Sequence, residues 1–151
     1  MMKTFLKENF FKFMIGLSAL IVSISVLMYI VSKTQSSISR EEKIIGEPIR
    51  IGKLEVAQFD FPKYMFWVEA VDACKALGSG WRLPTKSELN LLYKNKDKIG
   101  GFAPESYWSR SRVDKSIGSI DEAWYQSFDD GDQDSMGFSE YTSLVRAVRS
   151  F

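Results

Sequence analysis

The sequence predicts an α+β domain that follows one membrane-spanning helix. Near the N terminus, about 20 consecutive residues carry no charge, which is the length of helix that crosses the hydrocarbon core of a bilayer. Farther along the 151-residue chain, segments with the residue pattern of β-strands come before and after two segments with the pattern of helices. Strands and helices that are segregated in this way are typical of an α+β fold with an antiparallel sheet.

The uncharged segment runs from Phe13 to Ser32 and lies between Lys12 and Lys33. The two ammonium groups can reach the headgroups at either end of the helix. We expect an uncleaved signal anchor that crosses the membrane through residues 13–32. The alternative is a cleaved signal peptide, whose apolar region is shorter, about 7–15 residues, and precedes a small-residue cleavage site. No such site is present in the VSKTQSS that follows.

Basic residues decide the predicted orientation. Lys3, Lys7 and Lys12 lie close before the span, whereas the basic residues after it are spread from Lys33 to Lys43. This distribution favours a cytoplasmic N terminus. We therefore expect a single-pass protein of the cell membrane, whose C-terminal domain is periplasmic or extracellular.

Three parts are predicted along the chain. They are a cytoplasmic N terminus with the transmembrane helix over residues 1–33, a polar linker over 34–47 and a domain over 48–151. Gly46 and Pro48 are expected to end any helical extension of the span into the linker.

The first elements of the domain are predicted from hydrophobic periodicity. Apolar and polar positions alternate in IRIGKLEVAQFDF, which indicates one or two short strands. In FWVEAVDACKAL, apolar residues recur at spacings of three and four, which predicts an amphipathic helix with one buried face. These residues are Trp67, Ala70, Val71, Cys74 and Leu77. Gly78 is well placed to end this helix.

A second helix is predicted to begin within GWRLPTKSEL. Pro84 disfavours helix at Leu83. Thr85 and Glu88 have the spacing of a capping box, in which each side chain bonds the backbone amide of the other residue. After the glycine pair at 100–101, strands are predicted in SYWSRSRV, EAWYQSF and SLVRAVRSF, and DDGDQDSMGFSEY is predicted to be a polar connection.

Five of these segments together resemble one protein family. FWVEAVDAC, LGSGWRLPTKSELNLLY, YWSRS, AWYQSF and VRAVRSF are similar, in order and spacing, to the bacterial WRLPT domains of the Lcl C-terminal type. The resemblance covers roughly Leu54 to Phe151. It implies a C-type-lectin-like fold, with two helices against a curved, mostly antiparallel sheet, in an exported or surface-exposed binding module.

The resemblance also implies structural roles for the residues of the motif. Trp81 would fill the core at the joint between the two helices, and Arg82 would bond carbonyls or a carboxylate in the sheet. The residues assigned to this structural motif are Trp81, Arg82, Leu83, Pro84, Thr85, Glu88, Arg146 and Arg149.

Catalysis finds little support in the sequence. Histidine is absent, which removes the usual general base near neutral pH. Cys74 lies on the apolar stripe of the first helix, where a free cysteine behaves as a small buried hydrophobe. We therefore expect no enzyme and no cofactor. Hydrolysis by a pair of carboxylates is retained as a minor hypothesis, because their separation decides it and the sequence does not fix that separation.

The acidic run DDGDQD is the best candidate for a metal site. Asp130, Asp132 and Asp134 alternate like the first ligands of a calcium loop. However, Ser135 replaces the glycine that the loop needs, and Tyr141 replaces its bidentate glutamate. A solvated turn with Asp-Gly turn chemistry is the favoured interpretation, so no metal site is assigned.

A recognition face is predicted between Gly100 and Tyr141. Its candidate ligand-binding residues are Tyr107, Arg110, Arg112, Tyr125, Asp129, Asp130, Asp132 and Asp134. Because successive strand residues face opposite sides of a sheet, one ring of each Tyr–Trp pair is expected to point inward. We expect Trp108 and Trp124 to be core residues, which leaves the tyrosines exposed.

The predicted function is therefore non-catalytic recognition by a membrane-anchored module. Its partner would be a glycan, an envelope polymer or another protein. Nucleic acid is excluded as a partner, because the net charge is only +1 and no basic run is interleaved with aromatic residues. The alternative is an accessory structural subunit of a membrane complex, which would make its contacts through the span and its Ser18, Ser23 and Ser25.

Overall fold

The structure, a computed structural model, describes residues 2–113, 121–137 and 139–151. The chain divides into two compact units, Met1–Arg40 and Glu41–Phe151. The prediction of a mixed α+β chain that begins with a long apolar helix is confirmed. In place of one sheet, the second unit holds two small antiparallel sheets.

Helix α1 runs from Met2 to Ile45. Among the described residues, Leu20–Ile45 is the part found long and apolar enough to cross a membrane, with a mean hydropathy of 1.3. The large apolar side chains between Leu20 and Val31 are 52–66% exposed. Apolar area of this extent needs a lipid or protein surface to cover it. Phe13 and residues 15–19 of the predicted span, Ser18 among them, lie outside the described side chains.

Hydroxyl side chains are accommodated within α1. Ser25 Oγ donates to Ile21 O at 2.9 Å, and Thr34 Oγ1 donates to Ile30 O at 2.9 Å. Each bond satisfies a polar group within its own helix, which allows serine and threonine in an apolar segment. The helix also continues through residues 34–45, most of the stretch predicted as linker.

The second unit begins before the predicted boundary at residue 48. Ile44 is only 6% exposed and belongs to a core cluster. The carbonyl of Ile44 accepts a hydrogen bond from Phe59 N–H at 3.2 Å, and the carbonyl of Ile45 accepts one from Gln58 N–H at 2.9 Å. Helix α1 ends at Ile45, and the next residue, Gly46, has a φ of +52° that suits glycine. The two adjacent isoleucines therefore tie the end of the predicted linker into the domain.

The first sheet has the strand order β1–β2–β6. Strands β1 (Ile49–Ile51) and β2 (Leu54–Val56) form a hairpin, which confirms the strands predicted there. Strand β6 (Val148–Ser150) pairs antiparallel with β2. It is shorter than predicted: Ser143 and Leu144 make only isolated bridges, to Met65 and Tyr107.

The second sheet has the order β3–β4–β5. Strands β3 (Ser106–Arg112) and β4 (Glu122–Ser127) lie where the sequence predicts them. Strand β5 (Gln133–Gly137) lies within the segment predicted as a polar connection, so that prediction was wrong for residues 133–137. An edge strand tolerates polar residues because only one of its two edges is hydrogen-bonded to another strand. The polar composition of β5 therefore gave no hydrophobic pattern from which the strand could be predicted.

Three further helices lie between β2 and β3 along the chain, and local signals predicted the first two of them. Helix α2 (Trp67–Ala76) buries Ala70 and Cys74, as its periodicity predicts. Helix α3 (Lys86–Lys94) buries Leu89 and Leu92. A short helix, α4 (Lys96–Ile99), occupies the polar NKDK segment that was predicted to be the fading end of α3.

Strand β3 contributes to two hydrophobic clusters at once. Trp108 belongs to one cluster and Tyr107 to the other, and both side chains are fully buried. The predicted alternation along the strand is present, but both faces are covered. Trp124, predicted to be a core residue, is instead partly exposed, and Lys86 Nζ lies over its ring.

Replacing Thr85 with alanine is expected to lower the free energy of unfolding by about 1 kcal/mol. Thr85 Oγ1 accepts from Glu88 N–H at 3.2 Å, and Glu88 Oε2 accepts from Thr85 N–H at 2.7 Å. Both bonds of the predicted capping box are present, and the substitution removes one of them. Urea denaturation measures the loss. Thr142→Ala, at an exposed position, is the control, and an equal loss in both variants would contradict a capping role.

Candidate functional site

The GWRLPT segment is hydrogen-bonded to strand β6 and leads along the chain into the start of α3. Arg82 N–H donates to Val148 O and Val148 N–H donates to Arg82 O, each at 2.9 Å. The Trp81 side chain is 3% exposed, within a core cluster, and the Arg149 guanidinium lies 4.8 Å from its ring centroid. The indole is thus enclosed between apolar side chains and a cation.

The Arg82 guanidinium is held by a carboxylate. It donates to both oxygens of Glu88, at 2.7 and 2.9 Å, and also to Leu83 O and to Ser150 Oγ. Burial alone would raise the pKa of Glu88, but the bonds from Arg82 and Thr85 outweigh it and lower that pKa. The partner carboxylate lies on α3 rather than in the sheet, where the resemblance implied it.

Leu83 and Pro84 complete the joint. Both side chains are buried. Pro84 O accepts from Arg110 N–H at 2.7 Å, and Lys86 N–H donates to Ser111 Oγ at 3.0 Å. Backbone bonds on both sides of the proline therefore fix the start of α3 against strand β3.

Arg146 is the most deeply buried cation among the described residues, with a side chain 0% exposed. Its Nε donates to Asp60 Oδ1 at 2.5 Å, and its Nη2 donates to Gly101 O at 2.8 Å. The guanidinium also contacts the carbonyls of Ala57 and Gly100. One side chain thus joins the segment after β2 to the loop after α4.

Arg149 takes part in a network of ion pairs across the first sheet. Its Nε donates to Glu55 Oε2 at 2.6 Å, while Arg50 Nη2 reaches Glu55 Oε1 at 2.9 Å. The bonds from Arg149 and then Arg50 lower the pKa of Glu55. The arginines at 82, 146 and 149 thus all bond carboxylates of their own chain.

Tyr107, predicted to lie on an exposed recognition face, is fully buried. Its hydroxyl donates to Asp60 Oδ2 at 2.7 Å and accepts from Ala103 N–H at 2.8 Å. Burial and then the neighbouring Asp60 raise the pKa of Tyr107. A ligand at the surface therefore has no access to this residue, because β3 is covered on both faces.

Tyr125, another of the predicted ligand-binding residues, lies beside the acidic turn. It is directly opposite Asp134 in the β4–β5 register and is partly exposed. Partial burial, then the negative charges of Asp134, Asp130 and Asp132, raise its pKa. The structure thus brings this tyrosine together with three of the predicted acidic residues, and Asp129 is exposed in the same turn.

The acidic turn is organised by its own backbone. Asp130 Oδ1 accepts from Asp132 N–H at 3.1 Å, and Asp134 Oδ1 accepts from Ser135 N–H at 2.7 Å. The Ser127 hydroxyl and then the Asp132 amide lower the pKa of Asp130. In the described parts of the chain, no three acidic or cysteine side chains gather as a metal ion would require.

The two predicted arginines of β3 differ in their surroundings. Arg112 Nη2 pairs with Asp121 Oδ1 at 2.9 Å, and both side chains are more than half exposed. Arg110 is exposed and borders a cleft of about 230 Å³. The cleft is lined by Trp67, Val71, Lys75, Arg82, Leu83 and Arg110.

Sequence reasoning missed this cleft, although a signal was present. Trp67, Val71 and Lys75 recur every four residues and therefore share one face of α2. Their spacing indicates one surface, but the approach of Arg82 and Arg110 to it depends on the tertiary fold.

Cys74 does not offer a reactive thiol. It is fully buried, and burial raises its pKa to about 12. The thiolate is the nucleophilic form of cysteine, and a pKa so far above neutrality leaves almost none of it.

Comparison with models of known protein families finds no match, and comparison with curated proteins finds none either.

Proposed function

We propose that this chain is a membrane-anchored, non-catalytic recognition module. Its second unit would lie outside the cytoplasm and bind a glycan, an envelope polymer or a protein. One observation carries the proposal: the exposed acidic residues beside Tyr125 have no cationic partner among the described residues, whereas Glu55, Asp60 and Glu88 are all paired. Unpaired exposed charge of one sign favours association with a partner of the opposite sign.

We also propose that the second unit is a C-type-lectin-like domain of the WRLPT type. The five motifs and the order of helices and strands support this assignment. The buried indole of Trp81 and the paired guanidinium of Arg82 support a structural role for the motif. Recognition is then left to the segment between Gly100 and Tyr141, of which residues 114–120 and 138 lie outside the described part.

The proposal is tested with the full chain in lipid nanodiscs on arrays of glycans, cell-wall polymers and envelope proteins. A variant with asparagine at positions 129, 130, 132 and 134 should lose most of the binding. The matched control places neutral residues at Glu47 and Asp97, which are exposed and lie outside the segment between Gly100 and Tyr141. The proposed function would be contradicted if the wild-type chain bound none of the molecules on these arrays.

A second candidate function is that of an accessory subunit in a membrane complex. The exposed apolar surface of α1 favours it, because another helix can cover such a surface as well as lipid does. The test replaces Ser18, Ser23 and Ser25 with leucine and follows co-purification of neighbouring proteins. Loss of partners in this variant, with retention in the acidic-turn variant, would favour the subunit role.

A further inference from the structure

We propose that the cleft between α2 and the GWRLPT segment binds an acidic peptide segment of a partner protein. The segment would carry a carboxylate next to an apolar side chain. This inference rests on the proposed recognition function and assigns it a second surface, distinct from the acidic turn.

The walls of the cleft suit an apolar group that carries a negative charge. Trp67 and Val71 provide apolar surface on α2, and Leu83 provides it on the opposite side. Lys75, Arg82 and Arg110 supply the cations around it. A volume of about 230 Å³ accommodates one or two side chains rather than a folded element.

The three cations differ in how far their charges are already paired with carboxylates of the chain. Arg82 is neutralised by its two bonds to Glu88. Lys75 contacts Asp72 at 3.5 Å, in a pair whose side chains are 68% and 71% exposed and which water screens. The Arg110 guanidinium has no ion-pair partner within the described residues, although its backbone is fixed by Pro84. Arg110 is therefore the cation that an incoming carboxylate would pair with.

Hydrogen-bond chemistry favours a peptide over a sugar. Sugar hydroxyls need acceptors as well as donors, and none of the six lining side chains is an acceptor. The indole N–H of Trp67 already donates to Ser109 O at 2.7 Å. A carboxylate needs only donors, and the guanidinium of an arginine matches its two oxygens.

The test uses the full chain in nanodiscs of zwitterionic phosphatidylcholine. Short capped peptides with a Glu-Leu pair in a Gly-Ser background are immobilised at high density. Each disc carries several copies of the chain, so that weak binding becomes measurable through avidity. The matched peptides carry Gln-Leu or Lys-Leu. We expect retention on the Glu-Leu peptide alone, and weaker retention at high salt.

Substitutions then locate the binding. Arg110→Gln is expected to weaken retention about tenfold, the effect of losing one charge-assisted bond. Lys53→Gln removes the same charge at the exposed β1–β2 turn and should leave retention unchanged. Equal retention on Glu-Leu and Gln-Leu peptides, or equal losses in the two variants, would overturn the inference. Array ligands that still bind the Arg110→Gln chain would leave the proposed function intact.

Discussion

Replacing Arg146 with methionine is expected to lower the free energy of unfolding by about 3–5 kcal/mol, the usual cost of breaking a buried ion pair. The Asp60 carboxylate is only 17% exposed and would lose its cation. The carbonyls of Ala57 and Gly101 would lose a donor as well. Methionine fills much of the same volume, so the loss reports the unpaired polar groups rather than a large cavity.

Chemical denaturation of the Arg146→Met variant measures this loss. Arg112→Met is the control, because its pair with Asp121 is mostly exposed and exposed pairs contribute less than about 1 kcal/mol. A loss at position 146 no greater than that at position 112 would show that the buried guanidinium does not hold the two loops together.

A fragment that begins at Glu47 is expected to be less stable than one that begins at Glu41. The shorter fragment lacks Ile44, and removing a buried isoleucine side chain costs about 2–5 kcal/mol. It also lacks the carbonyls that accept from Gln58 and Phe59, each bond contributing about 0.5–1.5 kcal/mol. We expect a total loss of about 3–8 kcal/mol, which is much of the stability of a small domain.

Thermal unfolding of the two fragments measures the difference. Two substitutions in the full chain separate burial from chain length: Ile44→Ala should reproduce much of the loss, whereas Ile38→Ala, at a position 43% exposed, should have little effect. Fragments of equal stability would place the domain boundary near residue 48, as the sequence alone predicted.

Local signals predicted the two longer helices of the domain well. The capping spacing of Thr85 and Glu88 marks the start of α3, and the apolar period of three and four marks α2. These signals are readable because the interactions join residues at most four positions apart. The boundary near Ile44 was missed because its partners, Gln58 and Phe59, lie more than a dozen residues away.

The recognition face was harder to predict than the helices. Alternation along β3 correctly separated Tyr107 from Trp108, but it did not show that both faces of the strand are covered. Strand β5 was hidden by its polar composition. The cleft beside Arg110 depends on three separate segments, and no periodicity within one of them reveals the others.

A double-mutant cycle between Arg82 and Glu88 tests most directly whether the GWRLPT segment is a structural joint. Arg82→Met, Glu88→Gln and the double variant are compared with the wild type by urea denaturation. If the bidentate pair holds the joint, the sum of the stability losses in the two single variants should exceed the loss in the double variant. The difference, which is the coupling free energy, should be at least about 0.5 kcal/mol. Losses that add to within about 0.3 kcal/mol would contradict a structural role for the pair.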